Sequence, residues 1–284
     1  MIHRRFVISS ALGDPIRGDI RYLESGGKRP VVIVCHGFKG FKDWGFHPHL
    51  GTRLAEAGFI AVHFNLSCNG VGEDLMEFTE PEKFRRNTSS IELQDLSTVI
   101  AAIGTQFRDD PIDAARVGLM GHSRGGGLAI LGAAAHPSIK ALVTWAAVST
   151  FDRFNDEATV ALWRKAGYLE VTNARTGQVL PMGIEFLDDL RQNKHKLDIL
   201  AAASRLKCPF RLIHGTADES VSFLEAGAIR GRLKKPAHAE LVPIEGAGHT
   251  FGAAHPWAGT TPALESAIHA TTEWFERYIP PRTF

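Results

Sequence analysis

The chain has 284 residues, of which 44% are hydrophobic and 22% are charged, which is enough to bury a large core in a single α/β domain with an insertion. Its 32 basic and 31 acidic residues leave a formal net charge of +1, so the sequence shows no electrostatic signature of a protein that binds nucleic acid or an anionic membrane. The three cysteines, Cys35, Cys68 and Cys208, are an odd and scattered set. That set is typical of a reducing cytoplasm and excludes a disulfide framework or a cysteine zinc site.

Neither a targeting segment nor a metal site is expected. Residues 1–15 contain arginines but lack the apolar core of a secretory signal, and no apolar run is long enough to span a bilayer. The His47-Pro48-His49 pair has no carboxylate or cysteine in a matching array, so it does not predict metal binding. We therefore expect a cytoplasmic protein with no cofactor and no metal.

Apolar runs in the first part of the chain predict strands. Residues 6–8 and 20–23 form two opening strands around a turn-rich stretch at residues 13–15, and residues 31–35 are wholly apolar, which is typical of a strand buried on both faces. A helix around residues 50–58 precedes a further strand at 59–64.

Strands and helices then alternate. A helix at about residues 90–107 leads to a strand at 116–120, an alanine-rich helix follows at 126–135, and three more strands are expected at 141–146, 210–214 and 239–244. This alternation predicts a mostly parallel, doubly wound sheet with helices on both faces. Its active site lies at the carboxyl ends of the strands.

Residues 149–206 interrupt the alternation. They contain two helical stretches, around residues 159–167 and 184–194, with a predicted hairpin at 170–178 between them. Because this insertion leaves from the carboxyl end of a central strand, we expect it to form a small cap over the site within a single domain of residues 1–284. The alternative is a surface excursion that touches no substrate.

The segment G-H-S-R-G-G at residues 121–126 carries the strongest chemical signal. It follows an apolar strand and precedes a helix, which is the context of a nucleophile elbow with Ser123 at its tip. Gly121 and Gly125 are expected where the strand and helix backbones approach closely, and the helix N-terminus favours negative charge at the site. A glycine-rich structural turn is the alternative.

A serine nucleophile needs a base and an acid that orients the base. Asp218 and its competitor Glu219 follow a buried strand in the segment H-G-T-A-D-E, and we favour Asp218 because acids in this role lie close to the strand end. His249 follows the last strand in the glycine-rich segment G-A-G-H-T-F, and the order Ser, Asp, His fits.

The oxyanion of a tetrahedral intermediate needs two N–H donors, and the backbone N–H groups of Phe38 and Arg124 are the natural pair. Phe38 lies in the segment H-G-F-K-G after the third strand, where His36 is expected to brace the loop through hydrogen bonds. The side chains of Lys39, Lys42 and Arg124 are candidates for positive charge near the mouth of the site, although a solvated surface position is the default for each.

The segments H-G-F, G-H-S-R-G-G, H-G-T-A-D and G-A-G-H-T-F, in that order, resemble the α/β-hydrolase superfamily across nearly the whole chain. The resemblance implies the α/β-hydrolase fold and a serine hydrolase. An insertion between the sixth and seventh strands, with H-G-F, is similar to the cinnamoyl/feruloyl esterase group and to acylaminoacyl-peptidase-like and dienelactone-hydrolase-like proteins. A dienelactone hydrolase would be expected to carry cysteine where Ser123 stands, which argues against that chemistry.

These inferences predict a serine carboxylic-ester hydrolase that acts on small or medium acyl esters with water. Hydrolysis of small peptides, acyl transfer to an alcohol and a non-catalytic binding protein remain as alternatives. Trp163, Tyr168 and Phe186 of the insertion are candidate substrate contacts, with packing of the cap as the alternative. The same aromatic residues could serve a homodimer contact.

Overall fold

Ten strands form where the apolar runs predict them and in one inserted hairpin. The computed structural model describes residues 1–24, 26–74, 76–107, 109–154, 156–173, 177–234 and 238–281. Its strands are β1 (Ile2–Ser9), β2 (Pro15–Tyr22), β3 (Arg29–Cys35), β4 (Ile60–Phe64), β5 (Ile112–His122), β6 (Ile139–Trp145), β7 (Tyr168–Thr172), β8 (Val179–Gly183), β9 (Phe210–Gly215) and β10 (Ala239–Ile244).

Eight of these strands make one sheet in the order β1-β2-β4-β3-β5-β6-β9-β10. Strand β2 runs antiparallel to both of its neighbours, and all the other pairs are parallel. Every residue of β4 and of β9 is buried, as expected for parallel strands that helices cover on both faces. The prediction of a mostly parallel, doubly wound sheet is confirmed.

The helices are α1 (His47–Glu56), α2 (Pro81–Arg85), α3 (Ser89–Ala102), α4 (Arg124–Ala135), α5 (Glu157–Ala166), α6 (Ile184–Gln192), α7 (Ile199–Ala203), α8 (Phe223–Arg230) and α9 (Pro262–Tyr278). Helix α3 begins where the Thr88 hydroxyl accepts a hydrogen bond from the Ile91 N–H, and it ends earlier than the expected residue 107. Among the described residues, none of the helices has both the length and the apolar character needed to cross a membrane.

Helix α9 was not predicted, although its sequence carries the signals of a helix. The Thr261 side chain caps it, Pro262 opens it, and its buried residues recur at helical spacing. It packs on β6, where the Trp145 indole N–H donates to the hydroxyl of Thr271 at 2.8 Å. This bond satisfies a polar group in the middle of the core.

The segment between β6 and β9 contains α5, the β7–β8 hairpin, α6 and α7. The hairpin is antiparallel, with Tyr168 opposite Gly183 and Thr172 opposite Val179. The predicted helices at 159–167 and 184–194 correspond to α5 and α6. The predicted hairpin is confirmed for its strands, while residues 174–176 of the connection lie outside the described residues.

Candidate active site

Ser123 lies at the sharp turn between β5 and α4. Its φ is 58° and its ψ is −122°, a region that costs energy for any residue with a side chain. The turn is held because the Ser123 N–H donates to the Trp145 carbonyl at 2.8 Å and the Ser123 carbonyl accepts from Gly126 N–H at 2.9 Å. The strained serine between strand and helix is the backbone geometry of a nucleophile elbow.

The glycines beside Ser123 are required by space. A Cβ atom at Gly121 would overlap the backbone of Gly125, and a Cβ atom at Gly125 would overlap the carbonyl of His36. The close approach of β5, α4 and the loop after β3 therefore depends on the absence of side chains at both positions.

The loop after β3, residues 36–40, lies directly against the elbow, and we call it the H-G-F loop. A Cβ atom at Gly37 would come within 3.0 Å of the Ser123 Cβ. His36 holds the loop, since its Nδ1–H donates to the Gly37 carbonyl at 2.9 Å and its Nε2 accepts from the Leu66 N–H at 3.2 Å. Burial lowers the pKa of His36 to about 4, which keeps the ring neutral. The expected bracing role of His36 is confirmed.

Phe38 and Arg124 directly follow the two residues of this close approach, Gly37 and Ser123. Within the described part of the chain, neither of their backbone N–H groups donates a hydrogen bond to another residue. Arg124 is the first residue of α4, where a backbone N–H has no partner inside the helix and the helix dipole favours an anion. Within the described residues, both N–H groups thus keep their capacity to donate.

Asp218 and His249 are brought together by the loops after β9 and β10. The His249 Nδ1–H donates to Asp218 Oδ2 at 2.8 Å. This bond fixes the neutral ring in the tautomer that leaves Nε2 unprotonated, which is the state of a general base. The competing carboxylate, Glu219, is exposed to solvent.

Asp218 is surrounded by hydrogen-bond donors. Its Oδ1 accepts from the N–H groups of Ser220 and Val221, each at 2.9 Å, and the His214 Nε2 lies 3.3 Å from Oδ2. Burial alone would raise the pKa of Asp218, but hydrogen bonds from His214 and His249, together with the Val221 N–H, hold it well below its ordinary value. Asp218 is thus a fixed negative charge beside the His249 ring.

His122, the residue before Ser123, links the turn at Ser123 to the loop that carries His249. Its Nε2–H donates to the backbone carbonyl of His249 at 3.0 Å, and the two ring centres are 4.7 Å apart. In the part of the chain that the structure describes, no hydrogen bond joins Ser123 Oγ to His249. Such contacts are often long before a substrate is bound.

A family model described as "Alpha/beta hydrolase family" matches residues 31–263, which include the H-G-F loop, Ser123, Asp218 and His249. The chain belongs to the alpha/beta hydrolase family. The expectation from the sequence motifs is confirmed at this level, while the finer resemblance to cinnamoyl/feruloyl esterases is not settled by the family match.

Curated proteins also show sequence similarity to the chain. An Escherichia coli protein named "Uncharacterized 31.7 kDa protein in traX-finO intergenic region" is 30% identical over 141 residues, which cover 50% of this chain and 45% of that protein. A Bacillus subtilis (strain 168) protein named "Putative esterase YitV" is 24% identical over 263 residues, which cover 88% of this chain and 89% of that protein. The match therefore spans less than half of the first relative and most of the second.

Among solved structures, Est1E from Butyrivibrio proteoclasticus superposes with a TM-score of 0.70 at 18% sequence identity, covering 96% of this chain and 98% of that one. At this identity the superposition shows the shared fold of the alpha/beta hydrolase and carries no statement about substrate.

The three aromatic residues expected to contact substrate lie in different surroundings in this hydrolase. Trp163 is 0% exposed and its indole N–H donates to the Met182 carbonyl at 2.9 Å, and Phe186 is 1% exposed. Tyr168 is 38% exposed. Burial therefore favours the packing alternative for Trp163 and Phe186, because neither ring offers surface to a ligand in this conformation.

The default of a solvated surface position is wrong for two of the three cations. Lys42 is buried, with its ammonium 2.7 Å from Asp19 Oδ2 and 2.5 Å from Asp43 Oδ2. Arg124 is buried and pairs with Glu92. Charged groups are tolerated inside only when they are paired, and Asp19, the adjacent Asp43 and Glu92 supply that pairing.

Lys39 reaches the inserted segment. Its ammonium donates to the Thr172 carbonyl at the end of β7, at 2.8 Å. The H-G-F loop and the β7–β8 hairpin are therefore in direct contact. The inserted segment lies against the loop that borders Ser123, as a cap would.

Sequence reasoning missed three residues of the site's surroundings: His122, His214 and Glu92. His122 and His214 belong to the motifs G-H-S and H-G-T-A-D that located Ser123 and Asp218, so their positions were available. Glu92 lay within a predicted amphipathic helix, where a carboxylate is normally solvated. Its burial at 3% exposure follows only from the packing of α3 on α4.

Proposed function

We propose that the protein is a serine carboxylic-ester hydrolase that acts through an acyl-enzyme. The observation that carries the proposal is the hydrogen bond between His249 and Asp218, beside a strained serine and two available N–H donors. Arrangements of this kind perform acyl transfer. The resemblance to a Bacillus subtilis protein named as an esterase supports the same class.

We infer the following roles. Ser123 Oγ attacks the ester carbonyl carbon while His249 Nε2 takes its proton, and the N–H groups of Phe38 and Arg124 receive the oxyanion. Collapse of the intermediate breaks the bond to the alcohol, which leaves with the proton from His249. Water then attacks the acyl group on Ser123 in the same way, and the carboxylic acid is released.

A small to medium acyl group is the proposed substrate, with aromatic acyl esters of the cinnamoyl/feruloyl type as a narrower possibility. Small-peptide hydrolysis and acyl transfer to an alcohol use the same residues and stay as alternatives. Location in the cytoplasm and a homodimer contact through the inserted segment also remain proposals.

The test is a panel of p-nitrophenyl esters from acetate to decanoate, with methyl ferulate and an aminoacyl p-nitroanilide, assayed on the wild type and Ser123→Ala. We expect ester turnover that Ser123→Ala reduces on the order of 10⁶-fold in kcat. The control is Ser204→Ala. Ser204 is a half-buried serine at the C-terminal end of α7, and its replacement should leave the rate unchanged.

Labelling with a fluorophosphonate followed by peptide mapping identifies the nucleophile directly. Label on Ser123 supports the proposal. A wild type that hydrolyses no ester and takes up no label at Ser123 contradicts it, and preferential turnover of the anilide would favour the peptidase alternative.

A further inference from the structure

The side chain of Arg124 connects three parts of the fold beside the nucleophile. Its guanidinium carbon lies 4.3 Å from the ring centre of Phe38 in the H-G-F loop and 4.5 Å from the ring centre of Phe186 in α6. One cation therefore contacts an aromatic ring of the loop and an aromatic ring of the inserted segment. Guanidinium groups favour such faces because the plane of the group stacks on the ring.

Glu92 of α3 fixes the guanidinium. The Arg124 Nη1–H donates to Glu92 Oε1 at 3.3 Å, and the same oxygen accepts from Asn87 Nδ2 at 2.7 Å. Both charged groups are buried, so the pair is poorly screened by solvent. The charge of Arg124 is balanced inside the protein, which argues against a role in attracting an anionic substrate.

The half-buried ring of Phe38 is held by two neighbouring side chains. Arg124 lies against it at 4.3 Å, and the ring of Phe84 has its centre 5.8 Å away. The residue that follows, Lys39, has a φ of 54°, so the backbone turns sharply there. Contacts that hold the ring therefore also restrain the Phe38 backbone, from which the N–H projects.

We propose that the Arg124 side chain is a positioning residue that holds the Phe38 N–H, so that the residue contributing one oxyanion donor also fixes the other. This inference rests on the proposed function. The guanidinium touches no reacting atom and acts only through the placement of Phe38. It also ties the oxyanion donors to the inserted segment, because Phe186 stands against the guanidinium at 4.5 Å.

The test compares Arg124→Met, Arg124→Lys and the double variant Arg124→Met with Glu92→Gln. The double variant is included because Arg124→Met alone leaves a buried carboxylate without its counter-ion, which can prevent folding. Arg85→Met is the matched control, since Arg85 also stacks on a ring of the inserted segment, Tyr168 at 6.0 Å, but is exposed.

Three quantities are measured: kcat and KM for p-nitrophenyl acetate and for a bulky ester, and the affinity of a trifluoromethyl ketone. The ketone forms a tetrahedral adduct with Ser123 and so reports the oxyanion donors. Active sites are counted by fluorophosphonate titration so that misfolded protein is excluded from the rate.

We expect the double variant to lose about 10- to 100-fold in kcat on both esters and the same factor in ketone affinity, since a displaced donor weakens the transition state for every ester alike. KM should change by less than about threefold because ground-state binding does not use these donors. Arg124→Lys should recover part of the loss, because the ammonium keeps the charge but has no planar face. Arg85→Met should match the wild type.

The inference is overturned if the double variant keeps wild-type kcat and ketone affinity. It is also overturned if only KM for the bulky ester rises, because Arg124 would then be part of the acyl pocket. A normal kcat per titrated active site, with fewer active sites, would overturn it as well, because the role of Arg124 would then be purely structural. A wild type with no esterase activity and no label at Ser123 refutes the proposed function and the inference together, whereas an active wild type with an unaffected double variant refutes the inference alone.

Discussion

The imidazole of His122 donates a hydrogen bond from Nε2 to the backbone carbonyl of His249, over 3.0 Å. His122 immediately precedes Ser123, whereas His249 lies in a glycine-rich loop that follows the last strand of the sheet. The loop is also held by the hydrogen bond between His249 and Asp218. The bond from His122 adds a direct connection between the end of strand β5 and the loop that carries His249.

Replacing His122 with Phe keeps an aromatic ring beside His249 but removes the donor. One hydrogen bond of this kind is worth about 0.5–1.5 kcal/mol, so we expect kcat on p-nitrophenyl acetate to fall by roughly 2- to 12-fold with KM unchanged. His136→Phe is the control, since His136 hydrogen-bonds Ser97 at 3.0 Å at the far end of α4. Equal kcat in the wild type and His122→Phe would show that the loop needs no such anchor.

Asp218→Asn should damage catalysis far more than Glu219→Gln. Asn in place of Asp218 removes the negative charge beside His249 and permits the wrong tautomer, which costs about 10⁴-fold in kcat in comparable triads. Glu219 is exposed and should tolerate the change. Steady-state assays of both variants decide between the two carboxylates, and similar losses in the two would contradict the role proposed for Asp218. The other acids considered from the sequence, Asp188 and Asp189 on helix α6, pair with Arg164 and with Ser90 and Asn193, respectively.

The buried histidines predict loss of stability in mild acid. Burial lowers the pKa of His63 to about 3 and that of His36 to about 4. A histidine in the unfolded chain has a pKa of about 6.5. Between that pH and the pKa in the folded protein, only the unfolded state binds the proton. Each such group therefore reduces the free energy of unfolding by about 1.4 kcal/mol per pH unit as the pH falls through this window.

His63→Met removes one of these groups without touching the site. The unfolding free energy is measured by urea denaturation between about pH 6 and about pH 4.5. Its slope against pH should decrease by the contribution of roughly one proton, about 1.4 kcal/mol per pH unit. His195→Gln, at an exposed histidine, serves as the control and should keep the wild-type slope. An unchanged slope in His63→Met would mean that His63 is already protonated in the folded protein.

Trp163 packs within the inserted segment against Phe154 and Phe186, whose ring centres lie 5.1 Å and 6.4 Å from its own. Trp163→Ala should destabilise the protein by about 3–5 kcal/mol, or on the order of 10 °C in Tm, and lower activity equally on small and bulky esters. Tyr168→Ala, at a half-exposed ring, should change Tm by less than about 2 °C. Thermal melts and the ester panel test both. A stable Trp163→Ala that loses only bulky-ester activity would restore Trp163 as a substrate contact.

Local patterns in the sequence were enough to predict the sheet and the chain order of the site. Apolar runs predict the strands because parallel strands are buried on both faces. The carboxyl ends of these strands then predict where Ser123, Asp218 and His249 lie. The choice of Asp218 over Glu219 as the partner of His249 also agrees with the hydrogen bond that the structure contains.

The contacts between distant segments were decided only by the tertiary structure. A sequence pattern reports which face of an element is apolar, but not which side chain from another element meets it. Glu92 is buried because α3 packs on α4, and its carboxylate then accepts Arg124, whose guanidinium meets Phe38 and Phe186 from two other elements. Pairing of charges inside a protein depends on their distance in space, and the order of these residues in the sequence does not predict that distance.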